Sequence, residues 1–378
     1  MSNQPAVVGP DGVARPYIGG QALIEGVMMR SPHAFAAVVR RRNGELVVRQ
    51  EPMPDRRRAL PLARGVIALV EALRLGGRAL RFSAEVYERD LQEAEAEAAR
   101  AGDAPPSAPQ KGPGMLSVLS LPIIALATQG PELPTAPAGE KGRGLVTALS
   151  VVFALGLFVA LPQAFAAGTS ALFGLDLDVR SSAFQALTGA AKIAIVVGYM
   201  LLVRRIPEIY RVFQYHGAEH KSIYTYEAGE ALTVENARKK STLHPRCGTT
   251  FLVMVAFVSI FVFTAIGPLL PELGLGRVLD NVLFFFLKLP FLPVIAAITF
   301  ELQRLLARFG QGPLRLLLWP GFLVQRITTI EPDDAQLEVA LGALAVTLGR
   351  ERDPSRAIPA DPEHYAGYGE LLARTVSA

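Results

Sequence analysis

Three of the chain's five histidines and its single cysteine fall within one short stretch of sequence. His216 and His220 belong to the sequence His-Gly-Ala-Glu-His-Lys, and His244 and Cys247 follow some 25 residues later. Residues four positions apart lie on the same face of a helix, so the first two imidazoles can converge on one ion. Three nitrogens and one sulfur make a tetrahedral set that suits zinc. We therefore predict a zinc site formed by His216, His220, His244 and Cys247.

The glutamate between the two histidines suggests hydrolytic chemistry. The order His-x-x-Glu-His is that of the inverted zinc peptidases, in which the glutamate polarises a metal-bound water. Glu219 is thus the candidate catalytic base of a metal-dependent hydrolase. Such an enzyme also needs a third protein ligand, commonly a distant glutamate, and spacing does not choose among Glu235, Glu301 and Glu331. Short motifs also arise by chance, and histidines near a membrane surface often hydrogen-bond the backbone instead.

Cys247 has a second interpretation as a nucleophile with His244 as its base. The two residues are only three positions apart, and Pro245 between them restricts their mutual approach. A metal ligand or a structural thiol is therefore the favoured role. One cysteine also excludes an intramolecular disulfide, and with it the disulfide-rich secreted folds.

Four apolar segments lie between the middle of the chain and its last quarter: 145–167, 184–203, 249–270 and 278–306. Each has about 20 residues or more, which is enough to cross a hydrocarbon layer about 30 Å thick. The composition agrees, since 51% of the residues are hydrophobic and only 19% are charged, against about 25% in soluble domains. The sequence predicts an α-helical integral membrane protein with about four transmembrane helices and a small N-terminal cytoplasmic module that contains β-structure.

Loop charges predict the orientation of these helices. Residues 204–249 carry eight lysines and arginines, whereas residues 168–183 and 271–277 carry one each. The positive-inside rule then places both termini and the 204–249 loop in the cytoplasm. Lys192 and Lys288 lie about ten residues from the outer ends of their helices, hence about 15 Å deep, and we expect both to face a polar interior.

The remaining sequence divides around the membrane domain. We assign residues 1–60 to an N-terminal module, 61–90 to an amphipathic helix, 91–144 to an Ala/Pro-rich linker, 145–310 to the four-helix membrane domain with its 204–249 loop, and 311–378 to a C-terminal cytoplasmic segment. In the N-terminal module, Asn43-Gly44 predicts a type I′ turn of a β-hairpin. Near the C-terminus, Asp333 and Gln336 resemble a capping box, so a helix should begin there.

Two further contacts are predicted. The helix from Pro61 to at least Glu88 has a wide apolar face with a cationic stripe, which suits equally a position in the membrane interface or packing against the membrane helices. The Gly20–Arg30 segment is too apolar to remain solvated. We therefore expect it to dock within about 10 Å of the helix that carries His216 and His220.

Four stretches in order, 17–32, 216–221, 243–249 and 320–340, resemble the hallmarks of the bacterial YqhQ family. That family is an integral-membrane group whose domain has no established function. The resemblance implies a multi-pass protein of the bacterial inner (plasma) membrane with an N-terminal cytoplasmic segment and about four membrane helices. Its members have been described as predicted metal-dependent enzymes, a label that rests on the same histidines. The long insertion around residues 102–144 departs from the family pattern and carries no motif.

Two functions follow from these observations. The first is a zinc-binding membrane protein, with metal-dependent hydrolysis at the cytoplasmic face. The alternative is a non-enzymatic membrane scaffold or assembly factor that binds protein or ribonucleoprotein partners through its basic loops. Membrane lipid is the expected partner in both cases, and the sequence carries no specific nucleic-acid motif. Convergence of His216 and His220 distinguishes the two, because a scaffold does not require it.

Overall fold

The computed structural model of the chain describes residues 7–53, 63–101, 149, 152–271, 274–309 and 316–376. This part of the chain is mostly helical, with one small antiparallel sheet and a short two-stranded hairpin. The hairpin pairs β1 (Val7–Val8) with β2 (Ala14–Arg15). The sheet contains, in spatial order, β3 (Gly19–Leu23), β4 (Gly26–Arg30), β5 (Ala34–Arg40), β6 (Leu46–Pro52) and β7 (Glu363–Tyr365). Its last strand therefore comes from the opposite end of the chain.

Eleven α-helices are described. They are α1 (Ala63–Ala101), α2 (Val152–Leu172), α3 (Ser182–Val203), α4 (Pro207–Glu227), α5 (Val234–Arg238), α6 (Gly248–Ile266), α7 (Arg277–Lys288), α8 (Leu292–Phe309), α9 (Trp319–Thr328), α10 (Asp334–Arg352) and α11 (Tyr368–Val376). A π-helical turn at Gly156–Ala160 lies within α2, and a 3₁₀ turn at Leu289–Phe291 joins α7 to α8.

The central sheet is covered by helices on both faces. Side chains alternate between the two faces of a strand, so in β5 Val38 joins one core cluster and Val39 the other. The first cluster contains Tyr215 of α4 and Leu341 of α10, and the second contains Phe82 of α1. The β-structure predicted at the N-terminus is confirmed, and elements from the middle and the end of the chain complete its core.

The position of α1 differs in part from the predicted one. Its buried residues Leu75, Ala79, Phe82 and Val86 pack on the sheet, a surface that the sequence did not indicate. The same helix also contacts α8, so the predicted packing against an apolar helix is confirmed. Residues 61 and 62, where the helix was expected to start, and residues 102–148 of the expected linker and first apolar segment lie outside the described part of the chain.

The predicted β5–β6 hairpin is present, but its turn is not type I′. A type I′ turn needs positive φ at both central residues, and Gly44 (φ 90°) has a positive φ whereas Asn43 does not. The Gly44 N–H donates to the Arg41 carbonyl at 3.0 Å, and the Arg41 N–H donates to the Glu45 carbonyl at 2.8 Å. These contacts match a longer loop in which a tight turn ends in one left-handed glycine.

Three helices are long and apolar enough to cross a membrane: Val152–Leu172, Ser182–Val203 and Val278–Gln303. The predicted segment 249–270 corresponds to α6 and the 3₁₀ turn after it, within which Val253–Leu269 is a shorter apolar stretch. The regular helix α6 ends at Ile266, and a 3₁₀ turn containing Pro268 follows. Proline lacks the backbone N–H that a continuing helix would use. The described part of the chain thus shows three helices of membrane length, and the fourth predicted span is not confirmed.

The capping box predicted before α10 is confirmed. Asp333 accepts a hydrogen bond from the Gln336 N–H at 2.8 Å, and the Gln336 side chain accepts one from the Asp333 N–H at 2.9 Å. Two N–H groups that the first helical turn leaves unpaired are satisfied in this way. The cap fixes the start of α10 immediately after Ile330 to Pro332, the segment that lies against α4.

Candidate metal centre

The His-Gly-Ala-Glu-His-Lys sequence lies in the middle of α4 and is buried, so it is not an exposed loop. Pro207 occupies the first turn of this helix, where its missing N–H costs nothing. Gly229, with φ 73°, follows the other end in the left-handed conformation that commonly terminates helices. The part of the predicted 204–249 loop that carries the motif is therefore a core helix that holds its side chains rigidly.

The two imidazoles of α4 are oriented by backbone carbonyls. His216 Nδ1 lies 2.9 Å from the Thr328 oxygen, and His220 Nδ1 contacts the Thr242 oxygen. A carbonyl can only accept, so each Nδ1 is the donor and each Nε2 is left to face other groups. His216 Nε2 lies 3.0 Å from Cys247 Sγ, whereas the buried His220 Nε2 makes no hydrogen bond to the described residues. Metal-binding histidines typically show this arrangement, in which the second ring nitrogen is held by a carbonyl.

His216, His220 and Cys247 form one compact group. Each offers one ligand atom, and these three atoms all lie within 4.8 Å of one another. Their side chains are buried, with residue exposures of 8%, 1% and 6%. Ligands of one zinc ion bond to it at about 2.0–2.3 Å, so small side-chain movements would bring all three to bonding distance. The two histidines and the cysteine meet as predicted, but their ligand atoms are up to 4.8 Å apart, which exceeds the about 4 Å between two atoms bonded to one zinc ion.

His244 lies beside this group but outside it. Its ring centroid is 5.6 Å from that of His220. The Arg246 N–H donates to His244 Nδ1 at 3.4 Å, so the ring proton is on Nε2, which lies 3.6 Å from a Glu227 oxygen. Burial lowers the pKa of His244 to about 4, which keeps the ring neutral. Of the four predicted ligands, the structure therefore groups three and leaves His244 as their neighbour.

Electrostatics favour the metal-binding form of the cysteine. Burial acts to raise the pKa of the Cys247 thiol, but His216 and His220 hold that pKa well below its usual range. Burial likewise acts to lower the pKa of His216, but the charge of Cys247 outweighs it and raises that pKa to about 9. These shifts favour the thiolate form of Cys247, which is the form that ligates metals.

Glu219 lies next to the group without belonging to it. Burial raises the pKa of Glu219 to about 7, although the two histidines act in the opposite direction. Its side chain abuts β3, because a Cβ atom added to Gly20 would lie 2.7 Å from Glu219 Cγ. Gly20 thus permits a close approach between strand and helix, a role that the glycine spacing alone did not reveal.

The docking predicted between the N-terminal segment and this helix is confirmed. Strands β3 and β4 have Cα atoms within 8 Å of Cα atoms in α4. At the turn between these strands, Glu25 forms a two-pronged ion pair with Arg211, and the Tyr215 hydroxyl donates to Glu25 at 3.1 Å. The candidate site is therefore enclosed by the sheet on one side and by the segments around residues 242–247 and 328 on the other.

None of the three acidic residues considered as a distant ligand joins the group. Glu331 pairs with Lys221 at 2.6 Å, and Glu235 is exposed on α5. Glu301 lies within α8. Among the described residues, the grouped ligand atoms include no carboxylate oxygen. Cys247 stands where the inverted zinc peptidases have a carboxylate, so the group differs from the ligand set of those peptidases.

Sequence reasoning missed the groups that support these ligands. Gln325, 0% exposed on α9, accepts from the His244 N–H at 2.8 Å and donates to the His244 oxygen at 2.7 Å. It thereby fixes the segment that presents Cys247. An amide among the apolar residues of α9 is a signal that could have indicated a buried role. The carbonyls of Thr242 and Thr328 carry no side-chain signal at all.

Fold and site together define a mostly helical protein with three helices of membrane length, a small sheet and a buried His-His-Cys group. The model of the family described as "Protein of unknown function (DUF1385)" matches residues 60–350. The chain is also 33% identical over 332 residues to "Uncharacterized protein YqhQ" of Bacillus subtilis (strain 168). The matched region covers 86% of this chain and 90% of that protein. The chain therefore belongs to the YqhQ family, as its motifs indicated. No solved structure matches it.

Proposed function

We propose that this protein is a metal-binding membrane protein in which His216, His220 and Cys247 hold zinc. The observation that carries the proposal is the buried His220 Nε2, which makes no hydrogen bond to the described residues yet lies with the other two ligand atoms. A polar nitrogen buried without a partner costs free energy, and a metal ion would offset that cost. A set of two nitrogens and one thiolate suits zinc, with a fourth position left for water or substrate.

Elemental analysis of the full chain purified in detergent tests this proposal. We expect about one zinc per chain, because one group of three ligands is present among the described residues. A protein purified without metal, and whose thermal stability does not change when zinc is added, would contradict it. In that case the His216–Cys247 contact is a structural hydrogen bond and the scaffold is the better function. Exposed basic residues such as Arg205 and Lys239 would then be candidates for partner contacts.

The membrane position of the site is part of the proposal. Three helices of membrane length, with α6 as a shorter fourth span, would place both termini and α4 in the cytoplasm of a bacterial inner membrane, by the charge asymmetry of the loops. Reporter fusions test this. A fusion at Ala171 should behave as extracytoplasmic and one at Glu230 as cytoplasmic. The opposite pattern, or a cytoplasmic signal at both positions, would contradict the topology.

Hydrolysis is the finer part of the proposal and depends on Glu219. Zinc held by the three ligands would lower the pKa of a bound water, and the buried Glu219 carboxylate, adjacent in sequence to His220, would be the group to accept its proton. The variant Glu219→Gln should retain zinc, because Glu219 is not in the ligand group. It should lose zinc-dependent hydrolysis by about 10²–10⁴-fold. The rate is measured on a peptide or ester probe that the wild-type protein cleaves only with zinc. Full activity in this variant would exclude Glu219 as the base.

A further inference from the structure

Two lysines from separate apolar helices face one cavity. Lys192 of α3 and Lys288 of α7 both line a space of ≈ 20 Å³ that α2 and α6 help to enclose. Lys288 is 4% exposed. The expectation that both lysines face the interior of the helix bundle is confirmed. This cavity lies apart from the His-His-Cys group and takes no part in the proposed zinc chemistry.

The described contacts of the two lysine side chains include no acidic group. Lys288 Nζ donates to Gln163 Oε1 at 3.0 Å, and Lys192 Nζ donates to Ser259 Oγ at 3.2 Å. The rings of Phe284 and Phe263 lie 4.9 and 5.3 Å from Lys288 Nζ and stabilise it weakly. An ammonium group carries three N–H donors, so each lysine has donors left for another acceptor. Among the described residues that line the cavity, none is acidic.

The cost of burying a charge and the size of the cavity together indicate which hydrogen-bond acceptor fits between the two lysines. Two lysines that share one buried cavity are best accommodated when an opposite charge lies between them, because an unpaired buried charge is costly. A cavity of ≈ 20 Å³ has room for a particle about the size of one water molecule. Phosphate, sulfate or a lipid headgroup would be too large. We propose that this cavity is a halide-binding site in which one monatomic anion accepts hydrogen bonds from Nζ of Lys192 and Nζ of Lys288.

Thermal unfolding of the full chain in detergent tests the proposal. The midpoint is measured while fluoride, chloride or bromide replaces gluconate at constant ionic strength. A ligand that binds only the folded state raises its stability in proportion to the logarithm of its concentration above the Kd. We expect at least one halide to raise the midpoint in a saturable way. Lys288→Met and Lys192→Met should abolish the halide-specific shift. Lys239→Met removes an equal charge from an exposed site on the described surface and should keep the shift.

A wild-type midpoint that does not depend on the identity of the anion would overturn the proposal. So would a halide shift that survives in both methionine variants. If these variants fail to fold, line broadening of fluoride, chloride and bromide NMR by the wild-type protein decides: broadening of any of them that another halide competes away supports the site, and its absence for all three overturns it. Zinc content is measured in parallel. A wild-type protein that lacks zinc but shows the halide shift would refute only the zinc site. A wild-type protein that contains zinc but shows no halide shift would refute only the halide site.

Discussion

His220→Ala should reduce the zinc content of the purified protein from about one ion per chain to near zero. The change removes one of three ligand atoms, the Nε2 that lies within 4.8 Å of the other two. Loss of an outer-shell partner alone typically weakens metal binding by 10–100-fold, so we expect loss of a direct ligand to exceed about 100-fold. Zinc is quantified by elemental analysis after purification, and affinity by competition with a chelator of known strength.

His244→Ala is the matched control for this variant. It makes the same substitution in the neighbouring buried ring, which lies outside the ligand group. The structure therefore predicts that His244→Ala keeps its zinc. A site with His244 as a fourth ligand would instead predict that this variant loses its zinc. Cys247→Ala should behave like His220→Ala. Equal zinc contents in His220→Ala and the wild-type protein would show that the ion, if present, is bound elsewhere.

Gly217→Ala should destabilise the protein, although alanine is the better helix former by about 1 kcal/mol. A Cβ atom at position 217 would lie 2.1 Å from the backbone oxygen of Ile330. That oxygen cannot rotate away as a side chain would, and the Ile330 N–H is bonded to the Phe213 carbonyl at 3.0 Å. Overpacking of this kind costs about 1–3 kcal/mol. The thermal midpoint should fall, and zinc content should fall with it if α4 shifts away from the Thr328 carbonyl.

Gly198→Ala provides the control. Gly198 also lies within a helix, and a Cβ atom there would meet no atom within 4 Å. The same substitution should therefore leave stability unchanged or raise it by up to about 1 kcal/mol. The difference between the two midpoints isolates the close approach at Ile330 from the general preference of helices for alanine. Similar midpoints in Gly217→Ala and Gly198→Ala would mean that α4 and the Ile330 segment do not touch as described.

Several features of this protein were determined by its sequence, because each follows from a local rule. His216 and His220 share a helix face since they are four positions apart. The capping box at Asp333 needs only residues three positions apart, and the apolar segments report their helices by length and composition. The interior position of Lys192 and Lys288 follows from the cost of exposing a charge to lipid. None of these inferences requires knowledge of how distant segments meet.

Tertiary structure decided the rest. Cys247, and not His244, joins the two histidines in a chain segment that is held in place by Gln325, a residue 81 positions from His244 that bonds the His244 backbone and the Thr250 hydroxyl. The carbonyls that orient the rings of His216 and His220 come from Thr242 and Thr328. The position of a backbone carbonyl cannot be predicted from the type of residue that carries it. Strand β7 completes a sheet that begins more than 300 residues earlier, and the packing of α1 depends on that sheet. Such approaches are set by the packing of whole surfaces, whereas periodicity and spacing describe only neighbours along the chain.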